Sequence, residues 1–451
     1  MNNTENPMRS RPVFPLLMSM AVPPMVSMLI QSMYNIVDSI FVARLGEDAL
    51  TAVSLAFPLQ NLVLSVAVGL GVGLNALMAR NLGARDQKEV DRAASHGMVL
   101  TAIHSIGFVL FGLLFIRPFF HMFTEDAGIF EMGCRYSYIV ICLSFGSLFH
   151  ITIEKIFQAV GNMVVPMILQ AVGAVVNIIL DPIMIFGLFG FPALGVTGAA
   201  VATIIGQLVA CGLSVLLLVR HNHGIHIQLK GFRFEKRIVK SIYSVAIPSG
   251  LMTAMPSILI GALNGIVTVV SQSAVAVLGV YFKLQTFVYM PANGVVQGMR
   301  PIVSYNYGAG EEKRLYHTLR AAFLSILVIM TAGTALFLFL TVPILRLFDA
   351  GESMRAIGIP ALRIISLGFP VSAVGIVLSG AFEALGRGGE SLVISLLRQL
   401  LIIIPLSAAA VKITGLTGVW VSFPVAETAA ALAGTLLFLR FKKKLNIRRA
   451  E

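Results

Sequence analysis

Apolar segments longer than about 18 residues, the length that crosses a bilayer as a helix, recur from one end of this chain to the other, separated only by short polar breaks. Twelve are expected, at 13–42, 49–79, 93–116, 128–150, 162–186, 193–219, 238–264, 273–303, 316–341, 354–381, 390–411 and 415–440. Of the 451 residues 57% are hydrophobic and 12% charged, about half the charged fraction of ordinary globular domains. The chain reads as an all-α integral membrane protein with no room for a separate soluble domain.

With twelve spans the basic residues sort by side. Twenty-three Lys and Arg fall on the side that holds both termini, and Arg44, Arg117, Arg346, Arg355 and Lys412 on the other. The positive-inside rule then places both termini in the cytoplasm, and the expected location is the inner (plasma) membrane. The net charge of +12 follows from this asymmetry and from attraction to anionic inner-leaflet lipid, so membrane lipid is an expected partner and nucleic acid is not. The first twelve residues lack a short apolar core with a cleavage site, and the C-terminal FKKKLNIRRAE reads as a juxtamembrane anchor. Cys134, Cys142 and Cys211 have no metal or CxxC spacing and read as packing residues.

An offset of 225 residues relates most of the two halves. MARNLGARDQKEV (78–90) and VSYNYGAGEEKRL (303–315) share Asn81/Asn306, Gly83/Gly308, Ala84/Ala309 and Lys88/Lys313. The same offset pairs Pro23 with Pro248, Gln60 with Gln285, Gly69 with Gly294, Gly73 with Gly298 and Gly161 with Gly386; near the end it becomes 220, pairing Gly195 with Gly415. Two six-span halves thus repeat in parallel: residues 1–219, a connector at 220–240, and 241–451. Paired bundles around a midplane site are the architecture of alternating-access carriers. The connector, rich in basic and aromatic residues, reads either as a strap along the inner membrane surface or as a solvated link.

Polar residues inside the spans carry the chemistry. Gln31, Asn35 and Asp38 stand at i, i+4 and i+7 with Tyr34 beside them, and Gln170, Asn177 and Asp181 at i, i+7 and i+11; each set shares one helix face. A charge at bilayer depth costs roughly 2.5–3.5 kcal/mol even on insertion scales, which favours a cavity or bundle interior and a functional role. Asp38 and Asp181 are candidate proton-relay residues or ligands of a monovalent cation; both lie toward span ends, so pairing with a neighbour is the competing reading. Thr203 and Gln207, four apart, are weaker candidates, since such residues also serve as interhelical glue. In the second half Lys283, Arg363, Arg398 and Glu427 lie deep in their spans, and Lys283 or Arg398 is expected to pair with Glu427 rather than bind substrate. Arg300 and Glu383 are expected to snorkel toward the inner surface. Met18, Met20, Met25, Met28 and Met33 either line an adaptable cavity or pack. Pro23 offers a hinge before Asp38, although static bends explain intramembrane prolines equally well.

No phosphate-binding loop, metalloprotease motif or voltage-sensor ladder is present, and no nucleophile, base and orienting group can be assembled. The expected class is a carrier, not an enzyme, that needs no cofactor beyond H⁺ or Na⁺ as coupling ion.

PLLMSMAVPPM, YNIVDSIFVARLG, MARNLGARDQKEV, FQAVGNMVVPM, NIILDPIMIFG and VSYNYGAGEEKR together resemble the multidrug and toxic compound extrusion (MATE) transporters, across essentially the whole chain and closest to the prokaryotic DinF-like branch. The resemblance implies twelve helices in two pseudo-symmetric lobes arranged as a V around a central cavity, and a monomer that exports cationic or amphipathic small molecules in exchange for H⁺ or Na⁺. It matches Pro23 to the family's bending proline, Asp38 and Asp181 to its paired acids, Asn177 to its fifth-helix asparagine, and Gln31 and Tyr34 to cavity positions. The chain lacks the seventh-helix acid of NorM-like members, so coupling is expected in the first half alone. Glu154 stands where an asparagine often lines the cavity, and adds a third acid or pairs with Lys155. The alternative function is a flippase for a lipid-linked anionic intermediate, suggested by the deep cations of the second half.

Overall fold

The computed structural model describes residues 6–220, 224–348 and 350–450, with side chains through residue 443. The first residues of the connector, His221 to His223, and the side chains of most of the basic C-terminal cluster therefore lie outside the described part. The described residues form seventeen α-helices: α1 Pro7–Ser10, α2 Val13–Ala43, α3 Glu47–Gly83, α4 Gln87–Phe123, α5 Ala127–Cys142, α6 Phe145–Ala159, α7 Val164–Phe186, α8 Val196–Arg220, α9 Lys236–Thr268, α10 Gln272–Gly308, α11 Glu312–Phe339, α12 Thr341–Leu347, α13 Glu352–Ser366, α14 Phe369–Ala384, α15 Gly388–Leu396, α16 Ile403–Thr414 and α17 Leu416–Ala450. Ten runs are long and apolar enough to cross a membrane, and the bent pairs α5–α6 (41°) and α13–α14 (49°) complete the expected twelve.

The helices depart from the apolar segments in three instructive ways. The helices α3, α4 and α10 reach 37 residues each, about 55 Å at 1.5 Å per residue, because helix-favouring polar residues such as those of Gln87–Arg92 continue them beyond the roughly 30 Å hydrocarbon layer. The fourth and tenth spans, expected as unbroken runs, bend at residues 143–144 and 367–368, which the repeat places within one residue of each other. In the eleventh span Leu397–Leu401 is a π turn between α15 and α16. Pro405 explains it: the ring cannot donate to the carbonyl four residues back, Leu401, and the widened turn absorbs the misfit.

Local turns obey the repeat closely. After α3 the bonds Ala84 N–H to Arg80, Arg85 N–H to Leu82 and Asp86 N–H to Asn81 recur after α10 as Ala309 to Tyr305, Gly310 to Tyr307 and Glu311 to Asn306. The left-handed position of this turn is Arg85 (φ 60°) in the first half and Gly310 (φ 73°) in the second.

The chain forms two compact units, Val26–Gly250 and Met1–Met25 with Leu251–Glu451. The unit limits therefore differ from the 220–240 boundary read from the repeat. They fall inside α2 and α9, 225 residues apart and two residues after Pro23 and Pro248. In the unit 26–250 the first half of α9 packs on α3, where a methyl on Gly69 or Gly73 would strike the backbone at Ala246 and Gly250 or at Ile242. In the other unit the first half of α2 packs on α10 in the same way, Gly294 against Ala21 and Met25, and Gly298 against Met20 and Ala21. Small residues four apart allow such backbone approach between membrane helices, which is why these glycines recur. The core of unit 26–250 includes Leu74, Met78, Ile156 and Phe157, joined by Ile225 of the connector and Ile242 of α9.

The connector is a docked strap rather than a solvated link. Its backbone N–H groups at His226, Gln228 and Glu235 donate to Asp91 (3.0 Å), Ser95 (2.9 Å) and His96 (2.9 Å) of α4.

Candidate functional site

The polar faces of α2 and α7 meet inside unit 26–250. Gln170 Nε2 donates to Gln31 Oε1 (3.0 Å), whose own amide donates to Asn35 Oδ1 (3.1 Å). Two turns further along α7, Asn177 Nδ2 is 3.3 Å from both Asp181 Oδ1 and Thr203 Oγ1. The Tyr34 hydroxyl is 3.4 Å from the same Thr203 Oγ1. The Asp38 and Asp181 carboxyl groups lie within hydrogen-bonding reach of each other.

This geometry depends on a close crossing of α7 and α8. Gly173 and Gly206 face each other there, and a methyl on Gly206 would lie 2.7 Å from Gly173 O and 3.2 Å from Asn177 Cβ. The two glycines let Asn177 reach Thr203. Burial grades across the site: Asp181 (0% exposed) and Asn177 (2%) are enclosed, Asp38 and Tyr34 are half-buried, and Gln31 and Asn35 are exposed.

Four oxygens of this region, Asp38 Oδ1, Asp181 Oδ2, Asn177 Oδ1 and Gln207 Oε1, are buried with no hydrogen-bond donor, and neither aspartate takes part in an ion pair among the described residues. Buried acceptors are normally satisfied, and two adjacent carboxylates out of water repel unless a positive charge stands between them. An all-oxygen set of this kind fits a proton or a small hard cation; no cluster of three or more His, Cys, Asp or Glu among the described residues suggests a transition metal.

Two polar residues near the cluster were not expected from the sequence. Tyr136 of α5, 3% exposed, faces this cluster closely enough to feel Asp38, Asp181 and Tyr34 electrostatically, and its hydroxyl accepts from Gln60 Nε2 at 2.9 Å. Gln60 stood out only as a repeat match; its place deep in an apolar span was the available signal.

Glu154 is not brought into the cluster. Its Oε1 binds Lys155 Nζ (3.0 Å) and Gln158 Nε2 (2.7 Å), so of the two readings the structure shows the local pair.

In the other unit Arg398, in the π turn, donates through Nε to Glu427 Oε1 (2.8 Å). Its guanidinium lies 5.3 Å from the Tyr289 ring centre, and the Tyr289 hydroxyl reaches Ser372 (3.3 Å) and Glu427 (3.5 Å). Lys283, the other candidate partner, is exposed and makes no ion pair among the described residues. Arg300 and Glu383, expected to snorkel, instead form an ion pair with Glu383 2% exposed; burying each against the other is less costly than stranding either.

A profile of the MatE family matches residues 23–183 and 243–408. The chain is 25% identical over 431 residues to an FAD transporter of Shewanella oneidensis, covering 94% of each, and 26% identical over 443 residues to the multidrug export protein MepA of Staphylococcus saprophyticus, covering 97% of this chain and 96% of that one. Its fold matches an outward-facing multidrug resistance MATE transporter of the MOP superfamily with a TM-score of 0.90 at 26% identity, over 98% of this chain and 99% of that chain. With both halves matched by the profile and the twelve-helix fold matched throughout, the chain belongs to the MATE family, and is a multi-pass membrane transporter rather than an enzyme.

Proposed function

We propose that this protein is a secondary antiporter that exports cationic or amphipathic compounds in exchange for H⁺ or Na⁺, with Asp38 and Asp181 as the coupling pair. The observation that carries this reading is the juxtaposition of two carboxyl groups with four donor-less oxygens and no basic partner. The multidrug exporters among its relatives support the substrate class.

Charge neutralisation of the pair alters which acceptors need donors, and Asn177, Thr203 and Tyr34 re-sort their hydrogen bonds in response. These side chains link α7 and α8 to the second half of α2, which changes unit two residues after Pro23. The competition requires only that ion and substrate prefer different states, a coupling of about 1–3 kcal/mol. The inner membrane, with both termini cytoplasmic and the basic side inward, is part of this proposal.

Proteoliposomes loaded with a dye panel and given separate pH and sodium gradients test it. Asp38→Asn and Asp181→Asn are each expected to abolish gradient-driven efflux while leaving dye binding measurable. Efflux at the unaltered rate in both variants would remove the pair from the coupling role.

One observation favours a second reading, an anionic cargo. Lys283 and Arg363 are exposed cations of α10 and α13 without an ion pair among the described residues, and one relative is an FAD transporter. Competition of FAD or labelled lipid phosphates against cationic dyes separates the readings: dye efflux unaffected by either anion supports the cationic assignment.

A further inference from the structure

The repeat offers a comparison between two equivalent surfaces, one covered by the chain and one that no described segment covers. In unit 26–250 the outer face of α4 is covered by the chain itself. Gln228 N–H donates to Ser95 Oγ, Glu235 N–H to His96 Nε2, and the Phe232 and Phe234 rings lie 4.7 and 6.1 Å from His96. Deeper along the helix Tyr243 bonds His104 at 3.1 Å. These residues form the connector and the start of α9.

The 225 offset carries Ser95, His96, His104 and Tyr243 to Arg320, Ala321, Ile329 and Met18. No described segment covers the equivalent face of α11. The chain that leads into α2 docks elsewhere: Met8 O accepts from Asn306 Nδ2 (3.3 Å) and Arg314 Nε (2.9 Å), and Arg9 pairs with Glu311 (3.0 Å). What remains is a groove of about 720 Å³ between α11, α10 and the first half of α2, with Phe14, Met18, Leu324 and Val328 on its walls and His317 and Arg320 among its lining. Its volume falls in the range of small-molecule sites. His317, Arg320, Leu324 and Val328 follow i, i+3, i+7 and i+11 and so form one stripe along α11.

The charge pattern selects the occupant. No Asp or Glu lines the groove, and neither Arg320 nor His317 has a hydrogen-bond or ion-pair partner among the described residues, unlike Arg9 and Arg314 nearby. Arg320 lies about 12 Å along α11 from Glu312, below the basic rim of Lys313 and Arg314 and directly above the apolar walls. A planar guanidinium with five donors matches a phosphate in bidentate fashion, and basic pockets between membrane helices accept anionic headgroups. We propose that this groove is a binding site for an anionic phospholipid, its phosphate held by Arg320 with His317 and its acyl chain along Phe14, Leu324 and Val328. The phosphate on Arg320 takes in the second half the place where the connector meets Ser95 in the first.

The test measures binding of phosphatidylglycerol and phosphatidylcholine to the purified full-length transporter by native mass spectrometry, with thermal melting in mixed micelles of each lipid. The unaltered protein is expected to prefer phosphatidylglycerol at least tenfold and to melt higher with it. Arg320→Gln is expected to erase the preference without changing the melting point in lipid-free detergent, since the side chain is exposed. Arg320→Lys is expected to retain part of the preference, and Leu324→Trp to weaken phosphatidylglycerol binding with the charge intact. Full preference in Arg320→Gln overturns the proposal. So does millimolar inorganic phosphate displacing the lipid, which would make the site one for free phosphate, and so does tighter lipid binding after deletion of residues 2–5, which would make the N-terminal segment the occupant.

Discussion

Glu427 has two cations within the same stretch of sequence logic, Lys283 and Arg398, and takes the arginine. The choice follows from donor geometry: Arg398 can bond Glu427 through Nε while its plane lies against Tyr289, which a flexible ammonium cannot do as well. Glu427 Oε2 still lacks a donor. Removing one member of such a buried pair strands the other at a cost of about 3–5 kcal/mol, whereas replacing both with apolar residues is often neutral. Glu427→Gln is therefore expected to lower the melting temperature markedly in detergent, and the double variant Arg398→Met with Glu427→Leu to recover most of the loss. A double variant no better than the single one would assign the pair a role beyond mutual neutralisation. The same scale shows how far residues can be read from spacing. The faces Gln31–Asp38 and Gln170–Asp181 were legible, because each set follows the helical period on its own helix. Gln60 and Tyr136 were not, because no polar residue stands three, four or seven positions from either on its own helix, so no shared face marks them and only a neighbour reveals their direction.

Helix α9 carries glycines of two kinds, and α3 shows why the distinction matters. A methyl at Gly73 would meet the Ile242 carbonyl, whereas Gly261 and Gly265 on α9 have nothing within 4 Å of the added carbon. Gly73→Ala is expected to destabilise by about 1–3 kcal/mol through overpacking. Gly261→Ala and Gly265→Ala are expected to stabilise by about 0.5–1 kcal/mol, since alanine costs less backbone entropy in a helix. Melting curves of the three single variants in one detergent check both signs; stabilisation at Gly73 would mean the α3–α9 approach is not tight. The repeat made the recurrence of Gly69/Gly73 and Gly294/Gly298 visible in sequence, but not its reason, which is backbone contact with α9 in one case and α2 in the other. The break within the fourth span was equally hidden, because Leu143 and Ser144 carry no helix breaker, whereas Gly368 and Pro370 were an available signal in the tenth.

For the whole molecule, twelve spans are an even number, so the proposed topology puts both termini on one side, and the charge asymmetry is the ground for expecting that side to be the cytoplasm. A fluorescent protein fused after residue 451 is expected to fluoresce in intact cells, and an alkaline phosphatase fused there to stay inactive; the reverse result would invert the topology and with it the direction of export. The sequence by itself determined the number of apolar spans, the offset that repeats them and the carboxylates that cost most to bury, because each follows from hydrophobic length, sequence self-similarity or helical period. Only the tertiary structure decided that α2 and α9 each change unit two residues past their prolines, that Asp38 meets Asp181, that Arg398 rather than Lys283 takes Glu427, and that the connector covers one face of α4 while no described segment covers the counterpart on α11. These are contacts between segments far apart in the chain, and a helix face specifies what it must bury without specifying which partner will bury it.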